Sequence, residues 1–106
     1  MAPDSFQGFT TFKRNLKTPC ILFCKWNNCG HCHTMSEPMK KAQTALRGKM
    51  PVYIVDAEEH SNVCKQLKVN GFPTIFVLGK DRVARKYPGG PNAENIIRFA
   101  KSHSNK

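Results

Sequence analysis

Cys29 and Cys32 stand two residues apart in the run Cys29-Gly30-His31-Cys32. Two cysteines at that spacing close a small, strained disulfide that opens readily. A bond of that kind serves as a reagent more readily than as a staple. An apolar run, Cys20-Ile21-Leu22-Phe23-Cys24, leads in from the N-terminal side, and a helical pattern leaves from the cysteines. Cys29 is therefore expected near a helix N-terminus, where the macrodipole favours a thiolate. Dithiol exchange needs one exposed thiol of low pKa to attack, and a second close enough to expel the mixed disulfide. Cys29 takes the first role in this expectation and Cys32, one turn further in, the second. His31 lies between them; as an imidazolium it would stabilise the thiolate, favour the dithiol form and raise the reduction potential. Potentials of roughly −180 mV against roughly −270 mV separate oxidising from reducing dithiols, a gap of about 4 kcal/mol. His31 argues for the oxidising end.

The elements that must hold this site follow from periodicity. Phe6, Phe9, Phe12 and Leu16 recur at helical spacing, which predicts an amphipathic helix over about 4–16, ended by Thr18-Pro19. Residues 20–25 read as a strand buried on both faces. A helix is expected over about 30–47, kinked at Pro38 and stopped by Gly48. Pro51 to Val55 reads as a second buried strand with Asp56 at its end. His60 to Val69 reads as a helix, broken by Gly71-Phe72-Pro73. Thr74 to Leu78 and Arg82 to Tyr87 read as two strands joined tightly by Gly79-Lys80-Asp81, hence a hairpin. Pro88-Gly89-Gly90-Pro91 is a turn, and Asn92 or its neighbour caps a last helix with Ile96, Ile97, Phe99 and Ala100 inward. The order α-β-α-β-α-β-β-α predicts an α/β domain: a mixed four-stranded sheet with helices on both faces. Strands separated by helices are expected to be parallel neighbours, with the hairpin as an antiparallel edge. Sites form at the C-terminal ends of parallel strands, and the first strand ends just before Cys29.

At 106 residues the chain is expected to be one domain spanning 1–106. No apolar run approaches the roughly 20 residues of a membrane span. The N-terminus, Met1-Ala2-Pro3-Asp4-Ser5-Phe6, has no basic and apolar leader pattern, and Ser102-His103-Ser104-Asn105-Lys106 is not a retention tail. On that ground an intracellular protein is expected. Five cysteines is an odd number, which fits one redox pair plus three other thiols better than a disulfide framework. Net charge is +10, from 17 Lys and Arg against 7 Asp and Glu. The cations are scattered over every element without arginine–aromatic interleaving, so a solvated basic surface is preferred to nucleic-acid binding.

The cysteines admit three further readings. Cys29-Gly30-His31-Cys32-His33 fits the c-type haem attachment pattern, but haem needs a distal ligand and a pocket that the strands leave no room for. Cys29, Cys32, His60 and Cys64 could count as four zinc ligands. However, Cys64 sits at an apolar helix position between Val63 and Leu67, where a buried thiol is the simpler account. Cys20 and Cys24 share a strand face but lie too far apart to bridge each other. They are read as buried thiols, with a bond from either to Cys64 as the sharper option.

Trp26-Asn27-Asn28-Cys29-Gly30-His31-Cys32, Val55-Asp56-Ala57 and Val69-Asn70-Gly71-Phe72-Pro73-Thr74 together resemble a protein-disulfide-isomerase catalytic domain of the thioredoxin superfamily, over about 16–102. The compact size and unusual flanks also resemble the small single-domain isomerases of large DNA viruses of algae, which would place the chain in host cytoplasm or virion. The resemblance implies a thioredoxin fold and a thiol–disulfide oxidoreductase acting on protein or peptide substrates. The site would comprise Cys29, Gly30, His31 and Cys32, with Trp26, Phe72 and a cis Pro73 docking an extended peptide. It implies no cofactor beyond the Cys29–Cys32 disulfide, glutathione or another thiol as redox partner, no nucleic acid or membrane partner, and a monomer. A reductase using the same residues in the other direction is the rival chemistry.

The departures from the family are specific. Asn28 stands where the family has Trp immediately before the first cysteine, and Trp26 comes two residues earlier. Pro38 is one residue later than the family's helix kink. Leu22-Phe23 occupies the region where a buried carboxylate moves the second cysteine's proton. Pro91 stands where catalytic isomerases carry a loop arginine, leaving Arg82, Arg85 or Lys86 as substitutes. With neither group, Cys32 should resolve mixed disulfides slowly.

Overall fold

The structure is a computed structural model that describes residues 16–27 and 29–106. The helix expected over 4–16 lies outside the described residues, save Leu16, which is buried. The elements run β1 (Cys20–Lys25), α1 (Gly30–Ala45), β2 (Val52–Asp56), α2 (Ser61–Gln66), β3 (Thr74–Leu78), β4 (Ala84–Lys86) and α3 (Ala93–His103). Every residue of β3 and all of β1 except Lys25 is buried. A strand that is apolar at every position must be covered on both faces. These two accordingly form the centre of the sheet, whose order is β2-β1-β3-β4.

Two expectations about the sheet are corrected. β2 is parallel to β1, but β3 crosses to the other side of β1 and runs antiparallel to it, so β2 and β3 are not neighbours although a helix separates them. The apolar run predicts a buried strand at β2, but β2 lies at the end of the four-strand order, with Ile54 57 % exposed and only Val55 buried. The apolar run Val52-Tyr53-Ile54-Val55 resembles a central strand in composition, but central places require a partner on each side. The hairpin of β3 and β4 forms as expected and is antiparallel. β4 is shorter than expected because Arg82 turns the chain with φ 62° and Val83 is exposed.

Alternation along the central strands feeds two cores. Ile21, Phe23, Ile75 and Val77 face α1 and α3, packing with Met35, Met39, Leu46 and Ile96. Leu22, Cys24, Phe76 and Leu78 face the other way, toward Val63 and Cys64 of α2. α1 runs through Pro38, whose nitrogen has no hydrogen to give the Thr34 carbonyl. Past Leu46 the chain turns at Gly48, whose φ of 83° suits a residue without Cβ. α2 is shorter than the apolar pattern suggested, because Lys68 takes a left-handed φ of 59°. The Val69 and Lys68 amides then return to the Cys64 and Lys65 carbonyls at 3.0 Å each, a Schellman ending. Asn92 caps α3 as expected, its side chain accepting from the Asn95 amide at 3.0 Å. Ile96, fully buried between α3 and the sheet, anchors that helix. Ile96→Ala is expected to cost about 2–5 kcal/mol of stability, read as a lower denaturant midpoint at unchanged slope.

Candidate functional site

The site begins where β1 runs out. Beyond Lys25 the chain leaves the sheet at Trp26, and a turn closes with the Cys29 amide donating to the Trp26 carbonyl at 3.1 Å. Cys29 keeps extended backbone angles, φ −110° and ψ 113°, and is the N-cap of α1. The first turn of a helix has amides without intrahelical acceptors. Serine, threonine or aspartate supplies the acceptor at most N-caps. Here the Cys29 sulfur does so, accepting from the Cys32 amide at 3.1 Å. The Cys29 sulfur thus takes the place of the usual capping oxygen at the start of the helix.

The two cysteines differ in access. Cys29 is half-buried, whereas Cys32, one turn into α1, is 4 % exposed. Both are free thiols. Burial pushes the Cys32 thiol up to about 11; its hydrogen bond with Cys29 acts the same way, and the Trp26 backbone and the Lys25 charge oppose it. The arrangement thus separates a capping, accessible sulfur from a protonated, sheltered one.

The segment Gly71-Phe72-Pro73 comes to the same place from the other side of the chain. The Cys29 thiol donates to the Phe72 carbonyl at 3.4 Å, across 43 residues of sequence. The Phe72–Pro73 peptide is cis. Thr74 fixes the bend, its hydroxyl donating to the Gly71 carbonyl at 2.7 Å. Trp26 is 39 % exposed beside the dithiol. His31 and Gly30 are exposed in the first turn of α1. The structure therefore brings Trp26, Cys29, Cys32 and Phe72 together, with Gly30, His31 and Pro73 adjoining them along the chain.

Leu22 and Phe23, where a carboxylate would sit beneath the dithiol, are buried apolar side chains. The suggested substitutes for the loop arginine do not reach the site. Arg85 is paired with Asp81 at 2.8 Å, and Arg82 donates to the Leu16 carbonyl at 2.9 Å. Leu78 pairs with Cys20, so the turn after Leu78 that carries Asp81 and Arg82 is at the end of β1 away from Cys29. Lys86 is exposed opposite Phe76. The cation whose charge Cys32 does feel is Lys25, which sequence reasoning passed over. The signal was available in strand alternation: Lys25 follows Ile21 and Phe23, which face the α1 side. The four-residue zinc set does not assemble, since among the described residues no three His, Cys, Asp or Glu gather as a metal-binding group. Among those residues no helix is long and apolar enough to cross a membrane.

The fold and the cysteine geometry have counterparts among known proteins. The thioredoxin family pattern matches residues 7–102. Human protein disulfide-isomerase A6 is 40 % identical over 82 residues, covering 76 % of this chain and 18 % of the relative. Protein disulfide-isomerase like 2-2 of Arabidopsis thaliana is 37 % identical over 80 residues, covering 74 % and 17 %. The chain thus spans less than a fifth of the length of these curated relatives. The first thioredoxin domain of mouse protein disulfide-isomerase A4 superposes with a TM-score of 0.77 at 26 % identity, over 94 % of this chain and 72 % of that one. Chloroplastic thioredoxin z superposes with a TM-score of 0.74 at 20 % identity, over 92 % and 88 %, a likeness of fold alone. A mixed sheet of order β2-β1-β3-β4, a dithiol at the start of the helix after β1, and a family match over nearly the whole length lead to one assignment: the chain belongs to the thioredoxin family.

Proposed function

We propose that this chain is a thiol–disulfide oxidoreductase of protein substrates, a single thioredoxin domain in which Cys29 reacts and Cys32 resolves. The observation that carries the reading is the Cys29 sulfur at the N-cap of α1, 3.1 Å from the Cys32 amide. A sulfur held there is within reach of a substrate and accepts a hydrogen bond from the first turn of the helix. In the oxidising direction a substrate thiolate attacks the Cys29 sulfur of the Cys29–Cys32 disulfide. The disulfide breaks and Cys32 leaves, taking up a proton. A second substrate thiolate then attacks the substrate sulfur of the mixed disulfide and Cys29 leaves as thiolate, so the substrate gains one disulfide and the protein two thiols. In the reducing direction Cys29 attacks a substrate disulfide and Cys32, after losing its proton, expels the reduced substrate. Glutathione, a thiol of the right class, returns the dithiol or disulfide to its starting state. No cofactor beyond the dithiol takes part.

The similarity to protein disulfide-isomerases and the position of His31 favour the oxidising and isomerising direction. His31, exposed in the first helical turn two residues from Cys29, would as an imidazolium favour the Cys29 thiolate and raise the potential. The Phe72 carbonyl, within reach of the Cys29 sulfur, offers backbone for an extended peptide, with Pro73 and Trp26 flanking it. The test is refolding of a reduced, denatured disulfide protein in a glutathione buffer. The chain is expected to speed the appearance of native disulfides well above the buffer alone. Refolding at the buffer rate, with the chain correctly folded, would refute the oxidase and isomerase reading.

A further inference from the structure

β2 stands at one end of the sheet, and among the described residues no strand lies on its outer side. The hydrogen bonds to β1 show which groups that leaves outward. Pro51 gives its carbonyl to the Ile21 amide at 3.0 Å, and the Ala57 amide donates to the Lys25 carbonyl at 2.9 Å. Positions 51 and 57 therefore turn their peptide groups toward β1. Peptide groups alternate sides along a strand, so Tyr53 and Val55 turn inward as well, and Val52, Ile54 and Asp56 present N–H and C=O outward. Edge strands are ordinarily blunted by a lysine, a proline or a bulge. Val52-Tyr53-Ile54-Val55-Asp56 holds neither residue, and its register against β1 is unbroken. Ile54 is 57 % exposed, the most exposed large apolar side chain among the described residues.

The charges flanking the strand say what fits there. Lys49 precedes Ile54 by five residues and Glu59 follows it by five, and both are exposed. A parallel neighbour of the same sequence would set Lys49 beside Lys49 and Glu59 beside Glu59. An antiparallel one centred on Ile54 sets Lys49 of each copy toward Glu59 of the other. We propose that β2 is a self-association edge: a second copy of this chain adds its own β2 antiparallel, Ile54 opposite Ile54 and Val52 opposite Asp56, in a two-fold dimer with one continuous sheet.

That register pairs every outward peptide group of both strands and brings the two Ile54 side chains together on one face. A slip of two residues either way sets a β2 residue against Met50 or Glu58. Both amides are already used, by the Leu46 carbonyl at 2.9 Å and the Asp56 carboxylate at 2.8 Å. β1 and β2 are parallel and both lead toward the dithiol end, so the antiparallel joint carries the two dithiols to opposite ends of the joined sheet and covers neither. The inference does not depend on the activity proposed for Cys29 and Cys32. The net charge of +10 on each chain opposes association at long range, and at physiological salt that repulsion is screened over about 8 Å.

The test is sedimentation equilibrium of the full chain at physiological salt, from micromolar to millimolar. The mass is expected to rise from 12.0 kDa to twice that and to stop there. Ile54→Lys sets like charges face to face and should stay monomeric throughout. Lys49→Glu alone should weaken association about tenfold, and Lys49→Glu with Glu59→Lys should restore it. Amide exchange identifies the occupant of the edge. Protection of the Val52, Ile54 and Asp56 amides should grow with concentration in the parent chain and vanish in Ile54→Lys. The Tyr53 and Val55 amides, which face β1, should stay protected in both, showing that the variant is folded. A monomer at millimolar chain, assembly beyond two copies, a dimer indifferent to Ile54→Lys, or no rescue by the charge swap would each overturn the proposal. So would outer amides protected equally at every concentration, which would put a segment of the same chain on that edge.

Discussion

Cys29→Ser is expected to reduce thiol–disulfide exchange to the uncatalysed background, while Cys32→Ser keeps the attack and accumulates covalent adducts with substrate. The asymmetry follows from position. Only Cys29 combines access with the N-cap hydrogen bond from the Cys32 amide and the thiol contact to Phe72. Cys32, sheltered and protonated, presents no such sulfur to a substrate. Serine at position 32 keeps the backbone amide that caps Cys29, so attack survives and only expulsion is lost. Mass spectrometry of the two variants after mixing with a disulfide-bonded protein checks this. Adducts on Cys32 in the Cys29→Ser protein, or equal loss of attack in both variants, would contradict the assignment of roles.

The second large effect is in pH. Expulsion of substrate needs the Cys32 thiolate, and burial holds the thiol up at about 11. In the mixed disulfide the hydrogen bond and charge of a free Cys29 are gone, so the pKa there falls below that value; burial, the largest cause, remains. At pH 7 the thiolate is therefore a small minority, and raising the pH supplies more of it. Release of substrate from Cys29 should quicken by about tenfold per pH unit while pH stays well below the Cys32 pKa. Lys25→Met, which removes the one opposing charge, should lengthen the adduct lifetime at a fixed pH and leave the initial attack by Cys29 little changed. Quenched-flow sampling of the adduct between pH 7 and 9 reads both. A release rate that is flat across that range would mean that Cys32 ionises far more easily than its burial implies.

Much of this site was legible in the sequence, for identifiable reasons. The limits of β1 and β3 were readable because both strands are apolar at almost every position, and the chain break at Gly71-Phe72-Pro73 precedes β3 immediately. The dithiol declared its own place, since a strand ends just before it and a helical pattern starts at it. What remained hidden was set by neighbours distant in sequence. β2 has a central strand's composition, and its edge place follows from β3 pairing antiparallel on the far side of β1. The end of α2 depends on Lys68 adopting a left-handed φ where glycine is usual, which leaves no trace in an apolar pattern running on to Val69. Arg82 and Arg85 looked available in the sequence, but the hairpin turn carries one to Leu16 and pairs the other with Asp81.

The central claim is that Cys29 and Cys32 form a reversible disulfide poised for oxidation of proteins. Its most direct test is equilibration of the chain in glutathione buffers of graded ratio, with acid quenching and mass-resolved labelling of Cys29 and Cys32. The account predicts a single two-electron transition confined to that pair, with a potential of roughly −180 mV that His31→Ser moves toward roughly −270 mV. Two thiols that stay reduced at every ratio would contradict the dithiol mechanism, and a transition already at the lower potential would contradict the oxidising direction.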